Sequence, residues 1–215
     1  MSNIFTTNAP RLCQEGSLFS CTNITPGTVV NTATPPPQAL VATTPLFVIK
    51  NNAPATASTR VTLLSLNVQQ FGTVPASVLS VQSAIVIDTG DRTPTAASSS
   101  SLTPVNSVIG GKTSTTLVWS CLSGQTLTVP AAVAAKTISR RQVKGGPIIN
   151  LDEYEFRFGA DTQSTKTPPS AVGMFSCSVP SVCLLPQQFA LIYIWFPTGI
   201  TNPFAHEFDL TFSER

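Results

Sequence analysis

Gln188-Phe-Ala-Leu-Ile-Tyr-Ile-Trp-Phe196 is apolar at every position after its first. Side chains of a β-strand alternate between two faces, so a strand apolar at odd and even positions has no solvent face. The stretch therefore predicts a central strand of a sheet covered on both sides. Its neighbours behave differently. Tyr154-Glu-Phe-Arg-Phe158 alternates strictly, with Tyr154, Phe156 and Phe158 on one face and Glu155 and Arg157 on the other. Residues 204 to 213 alternate as well, placing Phe204, His206, Phe208, Leu210 and Phe212 together. Of the 16 aromatic residues, 11 lie from Tyr154 onward, so the C-terminal strands anchor the expected core.

Working toward the N-terminus, strands are expected over 46–50, 59–70, 78–88, 114–122, 148–158 and 172–179, with turn residues between them. Residues 92–107 and 161–169 read as polar loops. One short helix is expected over 129–143, where four alanines follow Pro130. Eight or nine strands at this spacing predict an all-β fold, a jelly-roll-like antiparallel β-sandwich over residues 45–215. Residues 1–44 are rich in Pro and Thr and read as an extended N-terminal arm, with Leu18–Thr22 as a short strand inside it.

Composition excludes other classes. The chain has 215 residues, with 12 Lys and Arg and 10 Asp and Glu. That is 10 % charged residues, against roughly 25 % in an ordinary soluble domain. Ser and Thr fill 52 positions, and hydrophobic residues make up 42 %. A disordered chain needs low hydrophobicity and high charge. The 18 prolines forbid long helices. The longest nearly apolar run, Phe189 to Pro197, is far below the roughly 20 residues of a spanning helix, so no membrane partner is expected. The start lacks the basic and apolar regions of a secretory signal, which predicts synthesis in a cytoplasm. Five cysteines, at 13, 21, 121, 177 and 183, read as buried or half-buried thiols, with a Cys13–Cys21 or Cys177–Cys183 bridge as the alternative.

Several motifs suggest chemistry. Ala84-Ile-Val-Ile-Asp-Thr-Gly90 imitates the catalytic strand of an aspartic protease, with Asp88 as the acid. The expected reading is a strand-ending turn, because Asp and Gly are standard turn residues. Gly110-Gly-Lys-Thr113 imitates a phosphate-binding loop, yet a strand rather than a helix follows. His206 is the only histidine, and on a strand it faces away from Glu207 and Asp209, so no metal site is expected. Lys136, Arg140, Arg141 and Lys144 form the one basic cluster; on the expected helix Lys136, Arg140 and Lys144 share a face, which reads as a solvated face or as a contact for an acidic neighbour or a phosphate backbone. No Lys/Arg-rich arm is present, so no specific nucleic-acid partner is expected. No catalytic residue and no cofactor is expected.

Cys183-Leu-Leu-Pro-Gln-Gln-Phe-Ala-Leu-Ile-Tyr-Ile-Trp-Phe196 and Phe208-Asp-Leu-Thr-Phe-Ser-Glu-Arg215 resemble the ends of small structural proteins of tailed-phage virions. In those chains a proline turn leads to an apolar Ala/Tyr strand and then to a closing aromatic strand. Pro186, Ala190 and Tyr193 hold those places here, while Gln187 and Gln188 replace the usual Gly. Arg60-Val-Thr-Leu-Leu-Ser-Leu66 is also similar. The resemblance implies a β-rich virion component of the decoration or cement kind, binding capsid or other virion proteins and acting as a homo-oligomer. Its contacts would come from the arm, around Pro26, Pro35, Pro36 and Pro37, from the loops 92–107 and 161–169, and from the basic cluster. The alternatives are a glycan- or receptor-binding module of a phage fibre, with Trp119 or Trp195 as platform, and, more remotely, a protease using Asp88.

Overall fold

The structure, a computed structural model, describes residues 9–22, 30–31, 38–71, 80–94, 99–121, 136–145, 150–159, 173–197 and 205–215. Among the described residues a short helix, α1 (Ala9–Gln14), precedes fourteen strands. These are β1 (Leu18–Thr22), β2 (Val30–Asn31), β3 (Phe47–Asn51), β4 (Val61–Phe71), β5 (Ser80–Asp88), β6 (Ser99–Leu102) and β7 (Val105–Asn106). They continue with β8 (Thr116–Cys121), β9 (Thr137–Gly145), β10 (Glu153–Phe158), β11 (Met174–Val179), β12 (Val182–Leu184), β13 (Phe189–Trp195) and β14 (Ala205–Glu214).

The strands form two packed sheets, an all-β sandwich. Sheet A runs β11-β10-β4-β14-β1-β7, with β12 also on β4 and β2 on β14. Sheet B runs β6-β8-β3-β13-β5-β9. Among the described residues pairing is antiparallel except between β10 and β11. The chain repeatedly crosses between sheets: β3 to β4 to β5, β9 to β10, and β12 to β13 to β14. Each crossing turns an apolar face inward, so both sheets share one core.

That core follows the alternation. Tyr154, Phe156 and Phe158 of β10 are buried, as are His206, Phe208, Leu210 and Phe212 of β14. Phe19 stacks on Phe212 at 5.6 Å, and Phe47 of sheet B meets Phe208 of sheet A at 4.8 Å. Burying one such ring contributes about 1.5–3 kcal/mol. In β4 the alternation slips by one residue at Leu64 and Ser65, where the pairing with β14 shifts between Thr211 and Phe212. This bulge keeps both Leu63 and Leu66 inside.

β13 lies between β3 and β5 and is buried throughout. Ala190, Ile192 and Ile194 face the shared core. Phe189, Leu191, Tyr193 and Trp195 face a second apolar cluster on the far side of sheet B, where Leu40 and Ala42 pack. The Tyr193 hydroxyl donates to the Ala42 carbonyl at 2.8 Å. The turn before β13 places Gln187 at φ 65°. This is the left-handed region that Gly enters freely. Gln187 holds it with two bonds, its N–H to the Asn51 carbonyl at 2.8 Å and its Nε2 to the Ala53 carbonyl at 2.6 Å.

Three expectations are corrected. Residues 137–143, expected as helix, belong to strand β9. Pairing along β5 and burial of Val143 outweigh the helix propensity of the preceding alanines. Within the expected loop 92–107 the chain forms two short strands, β6 on the edge of sheet B and β7 on the edge of sheet A. Within the expected arm, β1 is held on both sides, by β14 and by β7, and residues 38–44 lie against their own domain. Residues 9–22 are therefore part of the sandwich. Pro26, Pro35, Pro36, Pro37 and the loop 161–169 lie outside the described residues.

Candidate functional site

The outward face of sheet A collects four carboxylates. β4 lies between β10 and β14. Its Gln69 stands opposite Glu153 on one side and Glu207 on the other. Two residues along, Asn67 stands opposite Glu155 and Asp209, and Asp209 in turn faces Thr22 of β1. Directly opposed residues have Cβ atoms about 4.5–5.5 Å apart. The result is two parallel rows, each an amide flanked by two acids. A cleft of about 400 Å³ opens over three of the four acids, lined by Thr22, Asn67, Gln69, Glu153, Glu207, Phe208 and Asp209.

The cleft is acidic, with the amides of Asn67 and Gln69 set between its carboxylates. Asn67 Oδ1, Glu155 Oε2 and Glu207 Oε1 are shielded from solvent and receive no hydrogen bond. Carboxylate and amide oxygens only accept, so further acids cannot satisfy them. Arg157 binds Glu155 at 2.8 Å and offsets part of the charge. Burial pushes the Asp209 carboxyl above its ordinary value. No acid stands directly opposite another, because an amide of β4 separates each pair. The carboxylates stand in rows rather than converging on a point. Among the described residues no group of three His, Cys, Asp or Glu is placed to hold a metal ion.

Asp88 is built differently. Its carboxylate is buried at the end of β5 and takes the Gly90 N–H at 3.0 Å, Arg92 Nε at 2.7 Å and Lys136 Nζ. Burial disfavours its charge, yet the bonds from Lys136, Gly90 and Arg92 outweigh burial and hold its pKa down to about 2. A protease acid pair needs carboxyls that share a proton; Asp88 is instead a fixed anion locking the strand-ending turn. Lys136, one of the four basic candidates, is thereby engaged internally. Arg140 lies on the outer side of sheet B, its guanidinium 5.5 Å from the Trp195 ring centre. Arg141 and Lys144 follow in β9, where the backbone alone is described. Arg140 and Lys144 thus lie on a strand, not on the helix face expected for them with Lys136.

The other motifs are structural. His206 is buried and meets Phe47 edge-on, facing away from Glu207 and Asp209. Lys112 donates to the Glu214 carbonyl at 2.7 Å, and Gly110 occupies a turn at φ 75°. The Glu214 side chain is buried and receives Ser114 Oγ at 2.6 Å, the Thr115 N–H at 3.1 Å and Thr116 Oγ1 at 2.9 Å. This carboxylate ties the segment after β7 to the last strand. Trp119 and Trp195 are buried, so neither offers a ring platform. All five cysteines are free thiols. The burial of Cys21 and Cys121 pushes each pKa up to about 12, which makes both inert as nucleophiles.

No protein-family model matches the chain, and no curated protein or solved structure is significantly similar to it. The acidic rows themselves escape a reading of the sequence. Each strand shows an acid-x-acid pair, Glu153 with Glu155 and Glu207 with Asp209. That β4 brings the two pairs together is a matter of register between distant segments.

Proposed function

We propose that this chain is a structural virion protein of a tailed phage, made in the host cytoplasm, that decorates or cements a capsid. It works by surface contact rather than by chemistry. The observation that carries this reading is the acidic cleft of sheet A, where Glu153, Glu207 and Asp209 gather on one outward sheet face. A partner bearing exposed Lys or Arg supplies what the cleft lacks. Weak contacts of this kind gain strength when many copies act on one shell. The low overall charge, 10 % of residues, fits packing against protein surfaces without stranding unpaired ions.

The test is co-sedimentation of the purified chain with capsids of the phage that encodes it, together with mass spectrometry of purified virions. The proposal expects many copies per particle, reduced when Glu207 and Asp209 are both changed to Lys. A chain absent from virions and failing to pellet with capsids overturns it.

A further inference from the structure

We infer that two copies of this chain meet in a two-fold contact centred on the exposed apolar tip of Val105, Val108 and Ile109. The contact goes beyond the capsid reading and does not rest on it.

The tip stands on one side of the sandwich. β6 is the outermost strand of sheet B and β7 that of sheet A. Only Thr103 and Pro104 separate them in the chain, so both edges belong to the same side. Among the described residues β6 pairs with β8 alone and β7 with β1 alone. β6 carries no charge, no proline and no bulge, whereas the pairing of β9, at the opposite edge of sheet B, is interrupted twice. Charge, proline and bulges are the usual protection of an edge, and an edge without them is a template for another chain.

After β7 the chain turns back through three aliphatic residues. Val105 is 63 % exposed, Val108 36 % and Ile109 104 %. Single exposed apolar residues are ordinary, whereas a contiguous group marks a contact. Ile109 is wholly exposed and so gives nothing to the core of its own domain. The turn that presents it is nonetheless firmly built. Asn106 Nδ2 donates to the Gly16 carbonyl at 2.9 Å and to the Lys112 carbonyl at 3.0 Å, while its Oδ1 accepts the Val108 N–H at 2.9 Å. The Ser107 N–H donates to the Leu18 carbonyl and the Gly111 N–H to the Val108 carbonyl, both at 2.9 Å. Gly111 lies so close that a Cβ there would come within 2.7 Å of the Asn106 side chain. A loop fixed in this way loses little freedom when a partner covers it.

Charge selects a second copy as the occupant. Residues 93–111 contain no Asp, Glu, Lys, Arg or His. In a two-fold contact the same patch serves both copies, so a charge near the axis faces a like charge. A surface without charge escapes that repulsion. An anionic lipid or a nucleic acid would instead need cations around the tip. The two that bound this interval are engaged internally, Arg92 with Asp88 and Lys112 with the Glu214 carbonyl. Each copy brings three aliphatic side chains, which leave water against those of the other. The same two-fold can set the β6 edges antiparallel to one another, the pairing that prevails in both sheets.

The experiment is sedimentation velocity of the full chain over a concentration series, at low and at high salt. The wild-type chain is expected to form a reversible dimer at both, because no ion pair holds the contact. Ile109→Asp is expected to raise the dimer dissociation constant about a hundredfold, about tenfold for the apolar anchor lost from each copy. Leu151→Asp is the control. Leu151 is also an exposed aliphatic, but its N–H bonds Gln70 at the other end of β4, and its positive φ suits Asp. It is expected to leave the dimer intact. Thermal unfolding establishes that each variant is folded, and Ile109→Ser replaces Ile109→Asp if the latter is not. A wild-type chain that is monomeric at every concentration overturns the inference. So does a dimer that survives substitution of Ile109, is lost equally in Leu151→Asp, or dissolves at high salt. A monomer that floats with phosphatidylglycerol vesicles and ceases to do so in Ile109→Asp assigns the tip to a lipid surface and overturns the second copy. Co-sedimentation with capsids reads the proposed function separately: a dimer absent from virions keeps this contact and loses that reading, and a capsid-bound monomer does the reverse.

Discussion

Replacing Asp88 by Asn separates an anchoring carboxylate from a catalytic one. The side chain keeps its size, and its amide oxygen still accepts the Gly90 N–H. The charge that balances Arg92 and Lys136 is lost. Lys136 is 37 % exposed and can turn to water, whereas the Arg92 side chain is 6 % exposed and cannot. Leaving one member of a buried ion pair alone costs about 3–5 kcal/mol. The expected loss at neutral pH is therefore about 3 kcal/mol. The pH dependence offers an independent check. A carboxylate held near 2 instead of 3.8 favours folding. At about 1.4 kcal/mol per pH unit this amounts to about 2 kcal/mol. Because the folded-state value is depressed, that stabilisation is complete above the ordinary carboxylate range. It fades as the pH falls from about 4 toward 2. Urea unfolding followed by the fluorescence of Trp119 and Trp195, both buried, measures both quantities. Asp88→Asn should lower the midpoint at neutral pH and lack this part of the acid sensitivity. Adding Arg92→Leu should recover part of the loss, since no charge is then stranded. An Asp88→Asn variant whose stability stays within about 0.5 kcal/mol of wild type refutes the anchoring role.

Glu214→Gln should cost about 2 kcal/mol, because a neutral amide cannot accept all the donors of Ser114, Thr115 and Thr116. Limited proteolysis should then cut first between β7 and β8. The same carboxylate is held below its ordinary value against the opposing effect of burial, so its contribution is present at neutral pH and lost on acidification. Asp209→Asn should act in the opposite direction. Its folded-state value is raised by burial, so its charge opposes folding above that value and ceases to do so as the pH falls through it. Much of the side chain reaches solvent, so thermal unfolding at neutral pH should show a gain of about 0.5 kcal/mol or less. Deleting residues 1–22 should abolish cooperative unfolding in calorimetry. It removes β1 from between β14 and β7 and takes Phe19 from its stack on Phe212.

The two-sheet class is legible wherever alternation is strong. β10 and β14 expose their aromatic faces directly, and the doubly apolar β13 announces its central place. β9 is not legible, because helix propensity is local while the pairing that makes residues 137–145 a strand comes from β5. β1 shows why a proline-rich lead-in misleads. Leu18–Thr22 is too short to declare its importance, and its place between β14 and β7 rests on Phe19, a single aromatic. The candidate site lies at the far end of this scale. The acids of β10 are visibly outward and so are those of β14, but their union requires β4 to pair with both. Alternation gives the direction in which a side chain points; register decides which other side chains point there with it.

Register also sets the reach of the cleft's charge. Residues two apart on one strand are separated by about 6.6 Å, and strands on either side of a common neighbour by about 9.6 Å. These spacings are comparable to the Debye length at physiological salt, which is about 8 Å. The four carboxylates therefore act as one anionic centre, partly offset by Arg157, rather than as four independent surface charges. On a chain with 10 % charged residues little else competes with that centre. An ordinary surface would blur such a field with nearby ions of both signs. Sparse charge therefore sharpens what a partner senses at a distance. Salt should accordingly slow capture more than it shortens the lifetime of a formed contact, because screening acts on the approach and burial protects the bound ion pair.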